Sequence, residues 1–186
     1  MAMSEFTHDQ PETLAREATV YSALTIEVAL YAVLAIVALF IRLFLIGNAP
    51  LASDEARQAL ASWNFARNIP DGFTGSPLLF TGNALVFLLF GATDTAARLL
   101  PALLGSVLVL LPALLRRELG RIGALIASIL LTFSPSLVFF SRDVNGVVIA
   151  VTCGLAALVF AWRYITDHHV RYVSLAAVSA AFALLS

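Results

Sequence analysis

The chain has 186 residues, of which 60% are hydrophobic and only 12% charged, and its formal net charge is -1. A soluble domain carries about 25% charged residues, so this surface is not mainly aqueous. The near-neutral balance also offers no basic patch to a nucleic-acid partner, and the lone Cys153, inside an apolar run, excludes an intrachain disulfide or a cysteine-based metal site.

Residues 1–19 are polar, slightly acidic and contain Pro11. They lack the basic start, short apolar core and small-residue cleavage site of a signal peptide, and read as a flexible cytosolic tail. With the lead-in to the first span this tail covers residues 1–27. A bilayer core needs about 20 apolar residues in a helix. The run 28–46 meets that need, with Arg42 one turn from its end and able to snorkel to the interface.

The next segment, residues 47–95, is less apolar and has internal order. Ser53 is a good N-cap, and Asp54 and Glu55 follow in the first turn, where the helix dipole stabilises negative charge. Ala56, Ala59, Leu60, Trp63 and Ala66 then share one face, opposite Arg57, Gln58 and Asn64, which predicts an amphipathic helix lying on the membrane plane. Residues 68–76, with Pro70, Gly72 and Gly75, form a turn-rich joint. Residues 77–90, PLLFTGNALVFLLF, start on proline and are closed by Gly91, so a helix is expected there, too short to span and suited to the interface.

Further spans are predicted over 96–115, 122–140 and 147–165, with Pro101, Pro112 and Pro135 placed to kink their helices. Gly146, Ala150 and Gly154 form a small-residue seam. Residues 173–186 begin a fifth span and fall short of its length, so residues 28–186 read as the front portion of a longer membrane domain. Arginines at 116, 117, 121, 163 and 171 belong inside by the positive-inside rule. That puts the N-terminus in the cytosol and residues 47–95 in one long outer loop of a plasma-membrane protein.

Chemistry is expected at the mouth of that loop. Asp54 is a candidate general base for a hydroxyl acceptor, with Glu55 assisting or binding a divalent cation. Few other outer acidic residues, Asp143 among them, sit close to a span end, which speaks against a metal site. Arg98, just inside the outer end of the second span, and Arg142, at the outer end of the third, suit a lipid phosphate, which arginine holds bidentately. Asp143 beside Arg142 offers local neutralisation. A small transporter would want ionisable groups deep in its spans, whereas Glu27, Arg42 and Arg98 all lie near span ends.

The order of segments then carries a resemblance. DEARQA in the outer loop is followed by SPLLFTGNALVFLLFGATDTAARLLPALLG and by RRELGRIGALIASILLTFSPSLVFFSR. Over about residues 30–165 this set resembles the N-terminal part of the GT-C membrane glycosyltransferases, which include protein O-mannosyltransferase-like enzymes and aminoarabinose transferases. No single motif carries the resemblance; order and spacing do.

It implies an all-α polytopic fold with juxtamembrane helices in the first outer loop. It also implies a polyprenyl-phosphate-linked sugar donor among the membrane lipids, and inverting transfer to a hydroxyl acceptor on the outer face. The loop's essential carboxylate falls on Asp54, and Arg98 matches the arginine that opens the family's second span. Many relatives carry a second acid a few residues after the SP–R element. Here Val147 occupies that slot, and either Asp143, which stands earlier, substitutes for it or the chain is a divergent member. A non-catalytic membrane module or inactive remnant associated with glycan or lipid export is the competing reading.

Overall fold

The computed structural model describes residues 10–69 and 75–186, with side chains described from residue 26 onward. Nine α-helices and no strand occur among the described residues. The first, α1, runs Gln10–Leu43; its residues up to Val33 form a separate unit, and Leu34–Ser186 form a compact one. The stretch from Gln10 to Thr19, expected as tail, is therefore helical. Pro11 is tolerated because an N–H in a helix's first turn has no intrahelical acceptor, so its loss breaks no helical bond.

Two shorter helices follow as α2 (Ser53–Ala66) and α3 (Pro77–Phe90), and the next span is α4 (Asp94–Leu108) with its short continuation α5 (Leu111–Leu114). After α6 (Arg116–Phe133) and α7 (Pro135–Ser141) come α8 (Val147–Asp167) and α9 (Val170–Leu184). Ile26–Leu43, Asp94–Leu114 and Val147–Asp167 are each long and apolar enough to cross a membrane, and α6 with α7 makes a fourth such segment bent by 57°. The span expected over 122–140 is thus broken, and Pro135 breaks it. The second span is interrupted just before Pro112, whereas Pro101 sits within continuous α4. Ile36, Phe40, Leu130, Leu158 and Val178 are all exposed on these helices, an apolar surface that a bilayer solvates and water does not. The protein is an integral membrane protein.

Helix α3 has the bounds its sequence announces. Ser76 caps it by accepting the Leu79 N–H at 3.2 Å, and Gly91 ends it at φ 81°, a left-handed value that favours glycine. The Ser76 end lies against Gly146, where α8 begins. Thr95, just beyond the other end, lies against Gly47, just after α1. Both ends of α3 therefore sit at the same end of the spans, and α3 does not cross. The small-residue seam is used only in part, since a Cβ at Gly146 would run into Ser76 while one at Gly154 would point into open space.

A core of Ala59, Leu79, Phe87, Ala96, Ala97, Val144 and Ile149 joins α2, α3, α4 and α8 at that end. Trp63 packs edge-on against Phe87 with ring centroids 6.1 Å apart. The inward face of α2 differs from the expected apolar stripe. Glu55, Ala59 and Ser62 are buried, at helical spacing, whereas Leu60 is exposed. A charged residue, not the apolar stripe, sets the rotation of this helix. At the opposite end Arg117 meets Asp167 at 3.4 Å and Arg163 donates to the Leu114 carbonyl at 2.9 Å.

This arrangement makes a labelling prediction. In a Cys153→Ser background, cysteines placed at Asn48 and Ala92 should react with an impermeant thiol reagent from the same side, and one at Leu119 from the other. Asn48 and Ala92 reacting from opposite sides would mean that α3 crosses.

Candidate functional site

Helix α1 ends at Leu43, and the chain turns through residues 44–52 into α2. A helix C-terminus leaves carbonyls without intrahelical partners, and these attract cations. Two arginines from distant segments meet carbonyls of the turn just past that end. Arg142 donates through Nη2 to the Phe44 carbonyl at 2.9 Å. Arg98 donates through Nη1 to the Ile46 and Ala49 carbonyls at 2.9 and 2.8 Å, and through Nη2 to that of Pro50 at 3.3 Å.

The rest of the Arg98 guanidinium grips Glu55. Nε donates to Oε1 at 3.1 Å and Nη2 to Oε2 at 2.7 Å. All five N–H bonds that an arginine side chain can offer are thereby in use. Both side chains are buried, with exposures of 7% for Arg98 and 8% for Glu55. Glu55 in turn accepts the Ala52 N–H at 2.8 Å and the Val144 N–H at 2.9 Å. The first of these bonds caps α2. Ala52, not Ser53, is the N-cap residue, and since alanine has no acceptor of its own the Glu55 carboxylate reaches back to do the capping.

Asp143 completes the cluster, its carboxyl hydrogen-bonded to Glu55. Two carboxyl groups this close share a proton, and their surroundings drive their pKa values apart. Burial pushes Glu55 up, but its bonds from Arg98, Ala52, Asp143 and Val144 outweigh burial and hold it at about 2. Burial pushes Asp143 up too, and there the neighbouring Glu55 charge adds to it, against weaker opposition from the Val144 N–H and Arg98, to reach about 6.

The five sequence-selected residues are distributed as follows. Glu55, Arg98 and Asp143 converge. Arg142 is half-buried one residue from Asp143, and the bond to Phe44 is its one side-chain hydrogen bond among the described residues. Asp54 is exposed on the first turn of α2. Among the described residues no group of three or more His, Cys, Asp or Glu side chains is arranged to hold a metal ion, and both Glu55 oxygens already accept N–H donors.

Two cavities meet at the cluster. The first, of about 780 Å³, is mainly apolar: Ile41, Leu45, Thr132, Phe133, Val138 and Phe139 form its walls, and Arg98, Arg142, Glu55 and Asp143 its polar end. The second, of about 610 Å³, is more polar and is lined by Asp54, Gln58, Ser76 and Asn145. Ala52, Glu55 and Asp143 border both, so the carboxyl pair stands in their common wall. Gln58 and Asn145 were not among the residues the sequence singled out. Uncharged amides carry no signal until a cavity collects them.

An all-α membrane protein that gathers carboxylates and arginines at one end of its spans, beside a mainly apolar cavity, fits the GT-C class of membrane glycosyltransferases. The chain belongs to one of its families: the model of the dolichyl-phosphate-mannose-protein mannosyltransferase family matches residues 75–186. The match includes Arg98, Arg142 and Asp143 and begins after Asp54 and Glu55. No curated protein and no solved structure matches the chain. The protein is accordingly a membrane glycosyltransferase of the mannosyltransferase type.

Breaking the buried pair should be costly. Arg98→Met would leave a desolvated carboxylate and three carbonyls without donors, a loss of about 3–5 kcal/mol. Arg98→Lys should recover only part of it, because one ammonium has three donors for five acceptors. Unfolding by SDS titration in mixed micelles measures both.

The carboxyl pair also sets a pH dependence with two opposite signs. Glu55, lowered from 4.5 to about 2, stabilises the fold above pH 4.5 and loses that contribution as pH falls toward 2. Asp143, raised from 3.8 to about 6, stabilises it at low pH and loses that contribution as pH rises through 6. Infrared titration should detect a carboxyl proton leaving near pH 6, absent in Asp143→Asn and shifted to lower pH in Glu55→Gln.

Proposed function

We propose that the protein transfers a sugar, mannose by its family's description, from a polyprenyl-phosphate donor to a hydroxyl acceptor at the outer face of the plasma membrane, with inversion at the anomeric carbon. The observation that carries this reading is the common wall. An apolar cavity with an arginine at its polar end lies on one side of the Glu55–Asp143 pair, and a polar cavity with a free-standing carboxylate lies on the other.

In this reading the donor's isoprenoid chain occupies the apolar cavity and its phosphate meets Arg142. Phosphate suits a planar fork of N–H donors. Arg98 carries the same charge but has its five donors engaged, so it anchors the loop and contributes to the phosphate only through its field. The acceptor enters from the polar cavity, positioned by Gln58 and Asn145.

Asp54 is the base. It borders the acceptor cavity and is exposed, whereas Glu55, next in the chain, is held at about 2 and fixed by four N–H donors, a poor proton acceptor in a rigid position. The acceptor oxygen attacks the anomeric carbon as the bond from that carbon to the phosphate oxygen breaks. The electron pair leaves on the phosphate and the hydroxyl proton passes to Asp54. Attack from the side opposite the leaving phosphate inverts the centre. Asp143 stands between donor and acceptor, and its ionisation near pH 6 changes the charge of the wall.

Residues 28–186 are read as the membrane domain and 1–27 as its lead-in, with the N-terminus in the cytosol. The arginines at the far end of the spans support that orientation by the positive-inside rule.

The test is transfer of mannose from a polyprenyl-phosphate donor by the full chain in proteoliposomes. Asp54→Asn should lower kcat by about 100-fold or more while leaving donor binding intact. Full activity in that variant would remove Asp54 as base. The absence of any transfer, with donor bound, would favour a non-catalytic module.

A further inference from the structure

Arg42 is the one fully buried arginine among the described residues, and neither the carboxyl cluster nor the loop carbonyls account for it. It does not snorkel to the interface as its position near a span end suggested. Its side chain turns inward between α1, α4 and the α6–α7 break. No ion pair involves it among the described residues, and its Nε has no hydrogen-bond partner there. A cation so placed is costly unless a specific acceptor holds it.

That acceptor is a carbonyl exposed by proline. Pro135 has no N–H, and the carbonyl four residues before it, that of Leu131, lacks its ordinary helical partner. Arg42 Nη2 donates to the Leu131 oxygen at 3.4 Å, while Nη1 donates to Ala38 on its own helix at 3.1 Å. Gly105 of α4 makes room for the guanidinium. A Cβ there would stand 3.0 Å from Arg42 Nε and 2.8 Å from the Ser141 Cβ. One side chain therefore ties α1 to the 57° break and rests on a glycine of α4.

The apolar cavity is built on both sides of this tie. Ile41 and Leu45 flank Arg42 on one wall; Thr132, Phe133 and Phe139 flank the break on the other. We propose that Arg42 is a positioning residue that locks the α6–α7 break and so sets the width of the apolar cavity. That the cavity takes the isoprenoid phosphate rests on the function proposed above, but the lock itself does not.

The test separates the two. Spin labels at Leu45 and Phe139, both exposed on opposite walls, report the cavity width in the full chain in nanodiscs without reference to activity. Arg42→Met should shift or broaden their distance distribution, and Arg42→Lys, which keeps one donor for Leu131, should restore much of it. Pro135→Ala gives Leu131 an N–H and straightens the break; adding Arg42→Met to it should change the distance no further.

In transfer assays Arg42→Met should raise KM for polyprenyl-phosphate mannose about ten-fold with kcat within about two-fold, the pattern of lost donor binding and not of lost chemistry. An unchanged distance distribution in Arg42→Met would overturn the lock. Should Arg42→Met fail to fold, an unchanged distribution in Pro135→Ala, which gives the Leu131 carbonyl a backbone partner in place of Arg42, would overturn it equally. Altered distances with donor KM unaffected would uphold the lock and count against the donor's place in this cavity.

Discussion

The end of the molecule that holds the carboxyl cluster hangs on one guanidinium. Arg98 gathers the carbonyls of Ile46, Ala49 and Pro50 and both oxygens of Glu55. It thereby fixes where the chain goes after α1, how α2 is rotated, and where the Glu55 carboxylate points. Glu55 passes the constraint on to the Val144 N–H, just ahead of α8, and to Asp143. Three segments distant in sequence are thus registered against one planar group of fixed geometry. Such a pair is not a strong source of net stability compared with an apolar packing of the same volume. What it supplies is a single arrangement of a loop that has little apolar surface of its own to bury.

The carboxyl pair follows from that arrangement. Glu55 is kept ionised by its donors, and an ionised neighbour in a half-buried site makes Asp143 hold its proton more tightly. A wall between two cavities therefore carries one permanent negative charge and one that responds to pH. The two cavities differ in character because different elements line them. Span helices α1, α6 and α7 give the first its apolar surface, and the capped starts of α2, α3 and α8 give the second its polar groups.

Much of the architecture was legible in the residues. Uninterrupted apolar runs announced the spans, and α3 was bounded by its proline and Gly91. The kink at Pro135 followed from a missing N–H. The gathering of Glu55, Arg98 and Asp143 at one end followed from their places at span ends, whereas Asp54 stands apart from them.

What escaped was the partner of each arginine. Arg98 and Arg142 looked suited to phosphate because side-chain chemistry is written in the sequence. The carbonyls that bind them are backbone, identical at every residue, and become acceptors only because α1 stops at Leu43. Arg42 escaped for the same reason, its acceptor being a carbonyl that Pro135 leaves unpaired. The rotation of α2 was misjudged because hydrophobic periodicity assigns the inward face to apolar residues, whereas Glu55 occupies it. Prolines and helix ends advertise unpaired carbonyls, and an arginine inside an apolar run is a reason to look for one.

The family-matched segment begins at residue 75, yet five of the bonds that organise it come from residues 46–55. The two stretches form one structural unit although the family model covers only the later one. A chimera joined to a relative anywhere between residues 56 and 97 would pair this guanidinium with another protein's loop, or this loop with another protein's guanidinium. Functional swaps should therefore be cut before Ile46 or within the spans beyond Val147, so that the loop, α4 and the start of α8 travel together.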